Sequence, residues 1–210
     1  MNNQQIFDFN IKEIKDLNSF YVNFSNSEAY NIVNDNSFNG NILLNGPKKS
    51  GKTHLGLIWA KLNNAILYKE NFNEIVLSKN NIFIDDVFNN INEENVLHIV
   101  NHCKNENLKI LITTDIDLFE YDFQLLDLES RLKTFHYTKI KNPDDEMSII
   151  ILTKLLSEKQ FIIKNKDLFD FLIKRVNRSY ESIYKLVNKM DKLSLEKKRQ
   201  LTIPLIKEIL

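Results

Sequence analysis

Short apolar runs alternate with segments of helical periodicity along the first two thirds of the chain. Two segments, 53–62 and 93–106, repeat their apolar positions at the three- and four-residue spacing of an amphipathic helix. Five runs have the length and composition of buried strands: NILLN (41–45), AILYKE (65–70), NIFIDD (81–86), KILITTD (109–115) and TFHYTKI (134–140). Strands that alternate with helices predict an open parallel sheet with helices on both faces.

The last third of the chain has a different pattern, which begins around KNPDDE (141–146). Its three long segments all have helical periodicity: 146–160, 167–176 and 180–199. Pro143, followed by two aspartates, is typical of a helix start. We therefore predict an α/β domain over residues 13–141 and a small all-α region over residues 142–210.

The composition excludes several classes of protein. The chain has 210 residues and a formal net charge of zero, so no overall positive field favours binding to DNA or to an anionic membrane. Its single cysteine, Cys103, excludes an internal disulfide and a cysteine-based metal site. The N-terminus lacks a signal-peptide pattern, and no apolar stretch approaches the ~18 residues of a membrane span. These features predict a cytoplasmic protein with no direct sequence-specific DNA binding and no membrane partner.

Three of the four glycines lie within residues 43–62, around the sequence GPKKSGKT (46–53). This sequence fits the phosphate-loop pattern G-x-x-x-x-G-K-[ST], and it follows a predicted strand and precedes a predicted helix, as the pattern requires. Lys52 would contact the terminal phosphates, and the Thr53 hydroxyl would bind Mg²⁺. Gly56, one turn into the helix, fits close packing of that helix on the sheet. The candidate nucleotide-binding residues are Gly46, Pro47, Lys48, Lys49, Ser50, Gly51, Lys52, Thr53 and His54.

Polar residues end two other predicted strands. Asp85 is the candidate second ligand of Mg²⁺, through water, and Asp86 could polarise the attacking water. Alternatively, one of these aspartates caps a turn. Thr114 and Asp115 could sense the terminal phosphate or position water, although both residue types are also common in turns. The expected cofactors are Mg²⁺ and either ADP or ATP, between which the sequence does not decide.

With these three parts in order, the chain resembles the AAA+ ATPases and, more narrowly, the DnaA-related family. FYVNFSNSEAY (20–30) resembles the family segment in which a Ser-Asn pair precedes a helix near the adenine. DLESRLKTF (127–135) resembles the segment that carries an arginine finger, here Arg131. LTIPLIKEIL (201–210) is very similar to the end of the Hda-like regulators of DnaA. The resemblance implies the P-loop NTPase fold of AAA+ proteins, with the nucleotide between an α/β domain and a helical lid.

The two ends of the chain bear on which member of the family it resembles. It ends where the lid ends, without the helix-turn-helix domain of DnaA, so the resemblance implies a regulator rather than an initiator. Hda-like proteins begin with a peptide, here within residues 1–12, that docks on the DNA polymerase sliding clamp. QQIFDF (4–9) supplies Gln4, Phe7 and Phe9 in the required frame, and a frame one residue later is an alternative. The other interpretation is a terminal strand that packs its apolar residues on the domain.

One position departs from the family pattern. DnaA-like lids carry a sensor arginine on their third helix, where this chain has Glu181. Arg178, one turn earlier, is either its substitute or an ordinary ion-paired helix residue. We therefore expect at most weak intrinsic ATPase activity, which leaves open whether the chain is an enzyme. The lysines of 185–199 are interleaved with acidic residues, which favours a solvated lid helix over DNA contact.

The resemblance implies a regulator that docks on the sliding clamp, lies at the nucleoid through it, and stimulates ATP hydrolysis by DnaA with Arg131 in trans. AAA+ interfaces would also allow a homo-oligomer. The main alternative is an accessory ATPase like the helicase loaders, which would turn over its own ATP on single-stranded DNA. A small-molecule kinase is a weaker alternative, because the sequence carries no acceptor-binding signature.

Overall fold

The order of strands in the sheet differs from their order in the chain. The computed structural model describes residues 20–68, 75, 79–161 and 167–209. Within these residues the strands are β1 (Ile42–Asn45), β2 (Ile66–Leu67), β3 (Ile82–Ile84), β4 (Ile110–Thr114) and β5 (His136–Lys139). They form one sheet in the order β2-β3-β4-β1-β5, and every strand pair in it is parallel. Because β4 lies between β1 and β3, the carboxyl ends of these three strands are adjacent.

Helices cover both faces of the sheet. The α/β part contains α1 (Ser27–Asn34), α2 (Lys52–Leu62), α3 (Val87–Asn90), α4 (Glu93–Asn105) and α5 (Leu126–Leu132). Alternate residues of β1 serve the two faces: Leu43 packs in the core with α4 and α5, whereas Ile42 and Leu44 pack in the core with α1 and α2. The predicted fold class, an α/β parallel sheet with helices on both faces, is therefore confirmed.

The regular elements of the C-terminal part are all helices among the described residues, as predicted. It contains α6 (Asp145–Glu158), α7 (Asp167–Ile173), α8 (Tyr180–Lys197) and α9 (Ile203–Ile206) around its own apolar core. Two side chains explain where its long helices begin. Asp144 accepts a hydrogen bond from the Met147 N–H at 2.7 Å, and Ser179 accepts one from the Ser182 N–H at 3.2 Å. Each satisfies a backbone donor that the first turn leaves unpaired. No helix among the described residues is long and apolar enough to cross a bilayer.

The helical part is tied to the α/β part through the segment 20–26. The Asn23 side-chain amide donates to the Asp144 carboxylate, at 3.1 and 3.2 Å from its two oxygens. The Ser25 hydroxyl lies 3.4 Å from the phenol oxygen of Tyr180, which is buried at the start of α8. Asn26, also buried, donates to the Tyr21 carbonyl at 2.9 Å and thereby shapes the segment. The pair Ser25-Asn26, which the sequence analysis placed before a helix, therefore also lies where the α/β part meets the helical part.

Some elements differ from the sequence expectation. The described part of β2 comprises only Ile66–Leu67, and the last two residues of the expected run lie outside the described residues. The short helices α3 and α9 were not expected from periodicity, because four residues are too few to show a helical repeat. The first lid helix begins at Asp145, one residue before the expected segment 146–160, because Asp144 caps it.

A prediction concerns Gly56, which lies in α2 against the fully buried ring of Phe83. A Cβ at Gly56 would lie 2.0 Å from that ring. We expect Gly56→Ala to lower the free energy of unfolding by about 1–3 kcal/mol, the usual cost of overpacking, despite the higher helix propensity of alanine. Urea denaturation would measure it, with Lys61→Ala on the exposed side of the same helix as control. Equal midpoints for the two variants would contradict the packing role.

Candidate nucleotide-binding site

The phosphate loop connects β1 to α2 through a left-handed turn. Gly51 has φ +97° and immediately precedes Lys52, the first residue of α2. That conformation is strained for any residue with a Cβ, so the glycine is required there. The first turn of α2 contains no acidic residue of its own, and the positive end of its backbone dipole lies at the phosphate loop. A loop of this form followed by a helix N-terminus is a general anion-binding arrangement.

The Lys52 side chain folds back over the loop. Its ammonium donates hydrogen bonds to the backbone carbonyls of Gly46 at 2.7 Å and Pro47 at 3.0 Å. Burial lowers the pKa of Lys52, while the negative charges of Asp115 and its neighbours Asp85 and Asp86 oppose that shift. The ammonium is thus a partly desolvated cation on the loop. Anionic phosphates would compensate its desolvation more strongly than neutral carbonyls do.

Asp85 gathers hydroxyl groups from two other elements. Its carboxylate accepts hydrogen bonds from the Thr53 hydroxyl, at 2.9 and 3.1 Å, and from the Thr113 hydroxyl at 2.7 Å. Thr113 is fully buried in β4, and its hydroxyl also accepts the Asp86 N–H at 2.8 Å. The sequence analysis named Thr53 and Asp85 but missed Thr113. The available signal was a second threonine in a strand that is otherwise apolar.

Asp86 and Asp115 form a second polar cluster next to the Asp85 cluster, and the Asn89 side chain joins them. The Asn89 amide donates to Asp86 at 3.0 Å and to Asp115 at 2.9 Å. Asp115 also forms an ion pair with Lys48 at 3.5 Å. Asp86, the first residue before α3, has φ 53° and makes no side-chain cap on that helix. The structure therefore brings the two aspartates together, and Asn89 is a further residue that the sequence analysis missed.

Thr114 is oriented differently from its neighbour Thr113. Its buried hydroxyl accepts the Ile116 N–H at 3.0 Å and lies 3.3 Å from the Ile116 carbonyl oxygen. Asn45, at the end of β1, donates to the same carbonyl at 2.8 Å. In this structure Thr114 thus stabilises the turn after β4, which is the ordinary role considered for it. Its role as a phosphate sensor stays a prediction.

The first turn of α8 lies over the phosphate loop. The Lys49 ammonium is 5.7 Å from the centre of the Tyr184 ring. Glu181 forms an ion pair with Lys185 at 2.7 Å, and the pKa of Glu181 is lowered first by that hydrogen bond and then by the charges of Lys185 and Lys48. The lid therefore presents a carboxylate and an aromatic ring on the side of the loop lysines.

The remaining predicted residues lie at three other places. Arg178 forms a two-point ion pair with Asp145, at 2.9 and 3.1 Å, at the start of α6. The His54 ring lies edge-on to the Phe20 ring, with centroids 5.4 Å apart. Arg131, in the last turn of α5, contacts Asp127 at 3.2 Å. Gln4, Phe7 and Phe9 of the expected clamp peptide lie outside the described residues.

The arrangement fits a nucleoside phosphate with Mg²⁺. Hydroxyl and carboxylate oxygens, as in Thr53 and Asp85, are the donor atoms that Mg²⁺ prefers. The Ser50 hydroxyl in the loop is buried and has no hydrogen-bond partner among the described residues. A buried hydroxyl of this kind is costly unless a ligand or water satisfies it. The loop, the Lys52 ammonium and this oxygen cluster together provide what a polyphosphate requires.

Comparisons with known proteins show similarity in the lid sequence and in the overall fold. Residues 145–210 match the family model for the lid domain of Hda. Domain III of the replication initiation protein DnaA from Thermotoga maritima superposes with a TM-score of 0.72, at 18% identity, over 91% of this chain and 93% of that domain. The lid region of this chain is therefore similar to that of Hda, and the chain as a whole has the fold of DnaA domain III.

Other solved structures share this fold, and one curated protein is similar in sequence. AMPPCP-bound DnaA from Aquifex aeolicus has a TM-score of 0.65 at 20% identity, over 85% of this chain and 66% of that one. The Holliday junction branch migration motor RuvB from Thermotoga maritima has a TM-score of 0.56 at 15% identity, over 80% of this chain and 60% of that one. An uncharacterised protein of Haemophilus influenzae is 26% identical over 185 residues, which cover 79% of each sequence.

A prediction for the site concerns the loop lysine. We expect Lys52→Ala to raise the Kd for ADP and ATP about 10- to 100-fold, because hydrogen bonds to charged groups are worth about 1.5–3 kcal/mol. Calorimetric titration of the purified variant would measure this, with Lys61→Ala on the same helix as a charge-matched control. A Kd equal to that of the unaltered protein would remove Lys52 from the site.

Proposed function

We propose that this protein binds an adenine nucleotide with Mg²⁺ between its phosphate loop and its lid, and that it acts as a negative regulator of replication initiation by DnaA. The observation that carries the proposal is an Hda-type lid joined to a complete phosphate-loop site. Lys52 would hold the terminal phosphates, while Thr53 and Asp85 would hold the metal ion. Bound Mg²⁺ would neutralise phosphate charge and orient the phosphates.

In this proposal the nucleotide mainly sets the position of the lid. The lid approaches the loop lysines with Tyr184 and with Glu181, which is itself paired with Lys185, and Glu181 stands where the family carries its sensor arginine. Arg178, the possible substitute, is engaged by Asp145. An arginine on the phosphates would stabilise the charge that develops during phosphoryl transfer, so its replacement by a carboxylate favours weak intrinsic hydrolysis.

Arg131 is the residue we propose to act on the partner. Its side chain is 28% exposed, and its ion pair with Asp127 is an i,i+4 contact on a helix surface. Such pairs are worth about 0.3–0.5 kcal/mol, so the guanidinium can exchange this carboxylate for a partner's phosphate at little cost. Arginine fingers supplied in trans contribute roughly 10³–10⁵ in rate in other nucleotide hydrolases. The hydrolysis would then take place on the ATP of a bound DnaA molecule.

Docking on the sliding clamp would restrict this activity to replicating chromosomes. We propose that Gln4, Phe7 and Phe9 bind the clamp, since an extended peptide directs alternate residues to the same side and two aromatic anchors suit a protein groove. The protein would then be a cytoplasmic one that associates with the nucleoid through clamps loaded on DNA. Initiation would be switched off once replication has begun.

The prediction for Arg131 distinguishes its effect on ATP hydrolysis by DnaA from the binding of nucleotide and clamp by this protein. We expect Arg131→Ala to lose nearly all stimulation of ATP hydrolysis by the DnaA of the same organism, measured as phosphate release with clamp loaded on DNA. Its binding of nucleotide should not change, because Arg131 lies in α5 and pairs with Asp127 rather than with the phosphate loop. We expect its binding of the clamp to be unchanged as well. Lys133→Ala, which removes a cation two residues away and paired with Glu129, is the matched control. Stimulation retained by Arg131→Ala would exclude this residue from the role.

The prediction for the clamp peptide uses the purified sliding clamp of the same organism. We expect the full chain to bind it and the Gln4→Ala/Phe7→Ala variant to lose at least tenfold in affinity, measured by calorimetry. Gln5→Ala tests the alternative frame, and Asn2→Ala/Asn3→Ala is the control just before the peptide. If the unaltered protein does not bind the clamp, the regulator proposal fails at this point. ATPase activity stimulated by single-stranded DNA would then support the loader function.

A further inference from the structure

The helix that carries Arg131 lacks a capping side chain of its own. α5 comprises seven residues, and the residue before it, Leu125, makes no side-chain cap on the first turn. Leu128 and Leu132 are buried in the core and hold one face of the helix. Isolated helices of about two turns are not stable in water, so the start of α5 has to be fixed by contacts with the rest of the molecule.

Glu93, the first residue of α4, provides a polar contact at this place. One oxygen of its carboxylate accepts the Gln124 N–H at 3.1 Å, and the other accepts the Leu125 N–H at 2.8 Å. These are two consecutive backbone donors immediately before α5, and each has its own carboxylate oxygen. Because both bonds are charge-assisted and directional, they hold the position and the direction of the chain as it enters the helix.

Aromatic rings pack around the same segment. The Phe88 ring of α3 stacks on the Tyr121 ring, with centroids 4.2 Å apart, and lies edge-on to Phe123 at 5.7 Å. Tyr121 also lies near Glu93: its pKa is raised first by burial, then by the Glu93 charge and by a hydrogen bond to that carboxylate. Packed rings bury area but make no directional bond to the backbone. The hydrogen bonds of Glu93 therefore set the backbone just before α5.

We propose that Glu93 is a positioning residue for Arg131. The inference rests on the proposed function, in which Arg131 acts on the ATP of a bound DnaA molecule. The ion pair between Arg131 and Asp127 lies within α5, so it does not fix the guanidinium relative to the rest of the molecule. Arg131 is in the last turn of this short helix, so a shift at Leu125 is carried to the guanidinium. A displacement of about 1 Å in a reacting site can cost about 100-fold in rate.

Glu93→Gln tests this role with little change in shape. Glutamine has one acceptor oxygen where the carboxylate has two, so its amide NH₂ would face one of the two backbone N–H groups. Glu94→Gln is the matched control, because Glu94 lies in the same first turn of α4 and is exposed. It removes the same charge from the same end of the helix dipole, while the acceptor of Gln124 and Leu125 stays in place.

The first measurement is ATP hydrolysis by the DnaA of the same organism, as phosphate release with clamp loaded on DNA. We expect Glu93→Gln to lower the maximal stimulated rate about 10- to 100-fold. The concentration of this protein that gives half of the maximal rate should stay within about twofold, because the variant loses an interaction made in the transition state. A variant that is only less stable would show the reverse, and urea midpoints would verify folding. Glu94→Gln should match the unaltered protein in both quantities.

Amide hydrogen exchange, followed by NMR on the full chain, measures the two hydrogen bonds without DnaA or clamp. In Glu93→Gln the Gln124 and Leu125 amides should exchange about tenfold faster or more, because their acceptor is lost or weakened. Glu94→Gln should leave both amides at the rate of the unaltered protein. Amides of β1 should exchange equally in all three proteins and provide the internal reference.

The outcomes separate this inference from the proposed function. If the unaltered protein stimulates DnaA and Glu93→Gln does so to the same maximal rate, the role of Glu93 is overturned and the proposed function stands. Equal exchange of the Gln124 and Leu125 amides in all three proteins would also overturn it. An unaltered protein that does not stimulate DnaA would overturn the proposed function and, with it, the role of Glu93 in that reaction.

Discussion

A single carboxylate joins the parts of the nucleotide site. Asp85 follows β3, and its two oxygens accept hydrogen bonds from Thr53 at the start of α2 and from Thr113 in β4. These three elements are linked through one side chain that is itself only partly buried. If a metal ion binds there, the cluster already holds the hydroxyl and carboxylate oxygens near one another, so little reorganisation is needed. The Thr53 side chain at the end of the phosphate loop is therefore held by a residue that follows β3, a strand separated from β1 in the sheet by β4.

The position of the lid depends on a second set of polar contacts. Asn23 and Ser25 link the segment before α1 to Asp144 and Tyr180, which stand at the starts of the two long lid helices. The carboxylate that caps α6 thus also binds the segment 20–26. Because one end of the lid is held there and the first turn of α8 lies over the loop lysines, a ligand between loop and lid would bear on both contacts. This is the physical route by which a nucleotide could act as a structural element.

The charges of this protein are unevenly distributed along the chain, although they sum to zero. The formal net charge is zero, yet residues 117–129 carry only negative charges and residues 185–199 carry an excess of positive ones. Exposed phenylalanine and leucine side chains accompany these two regions. Contiguous exposed apolar patches mark surfaces that meet a partner, and charge complementarity determines which partner fits. A net charge of zero therefore does not argue against contacts with other proteins. It does argue against binding DNA over a wide surface.

The sequence by itself determined the elements and the chemistry that each could carry. Apolar periodicity and turn residues are local, and so is a phosphate loop, whose glycines, lysine and threonine act through a backbone turn of eight residues. Only the tertiary structure decided that β4 lies between β1 and β3, which brought Thr113 rather than Thr114 to Asp85 and placed Asn89 between two aspartates. Strand order depends on how helices pack over the sheet, and a strand alternates its side chains between faces, so a shift of one residue changes which hydroxyl meets the site. No local pattern contains that information.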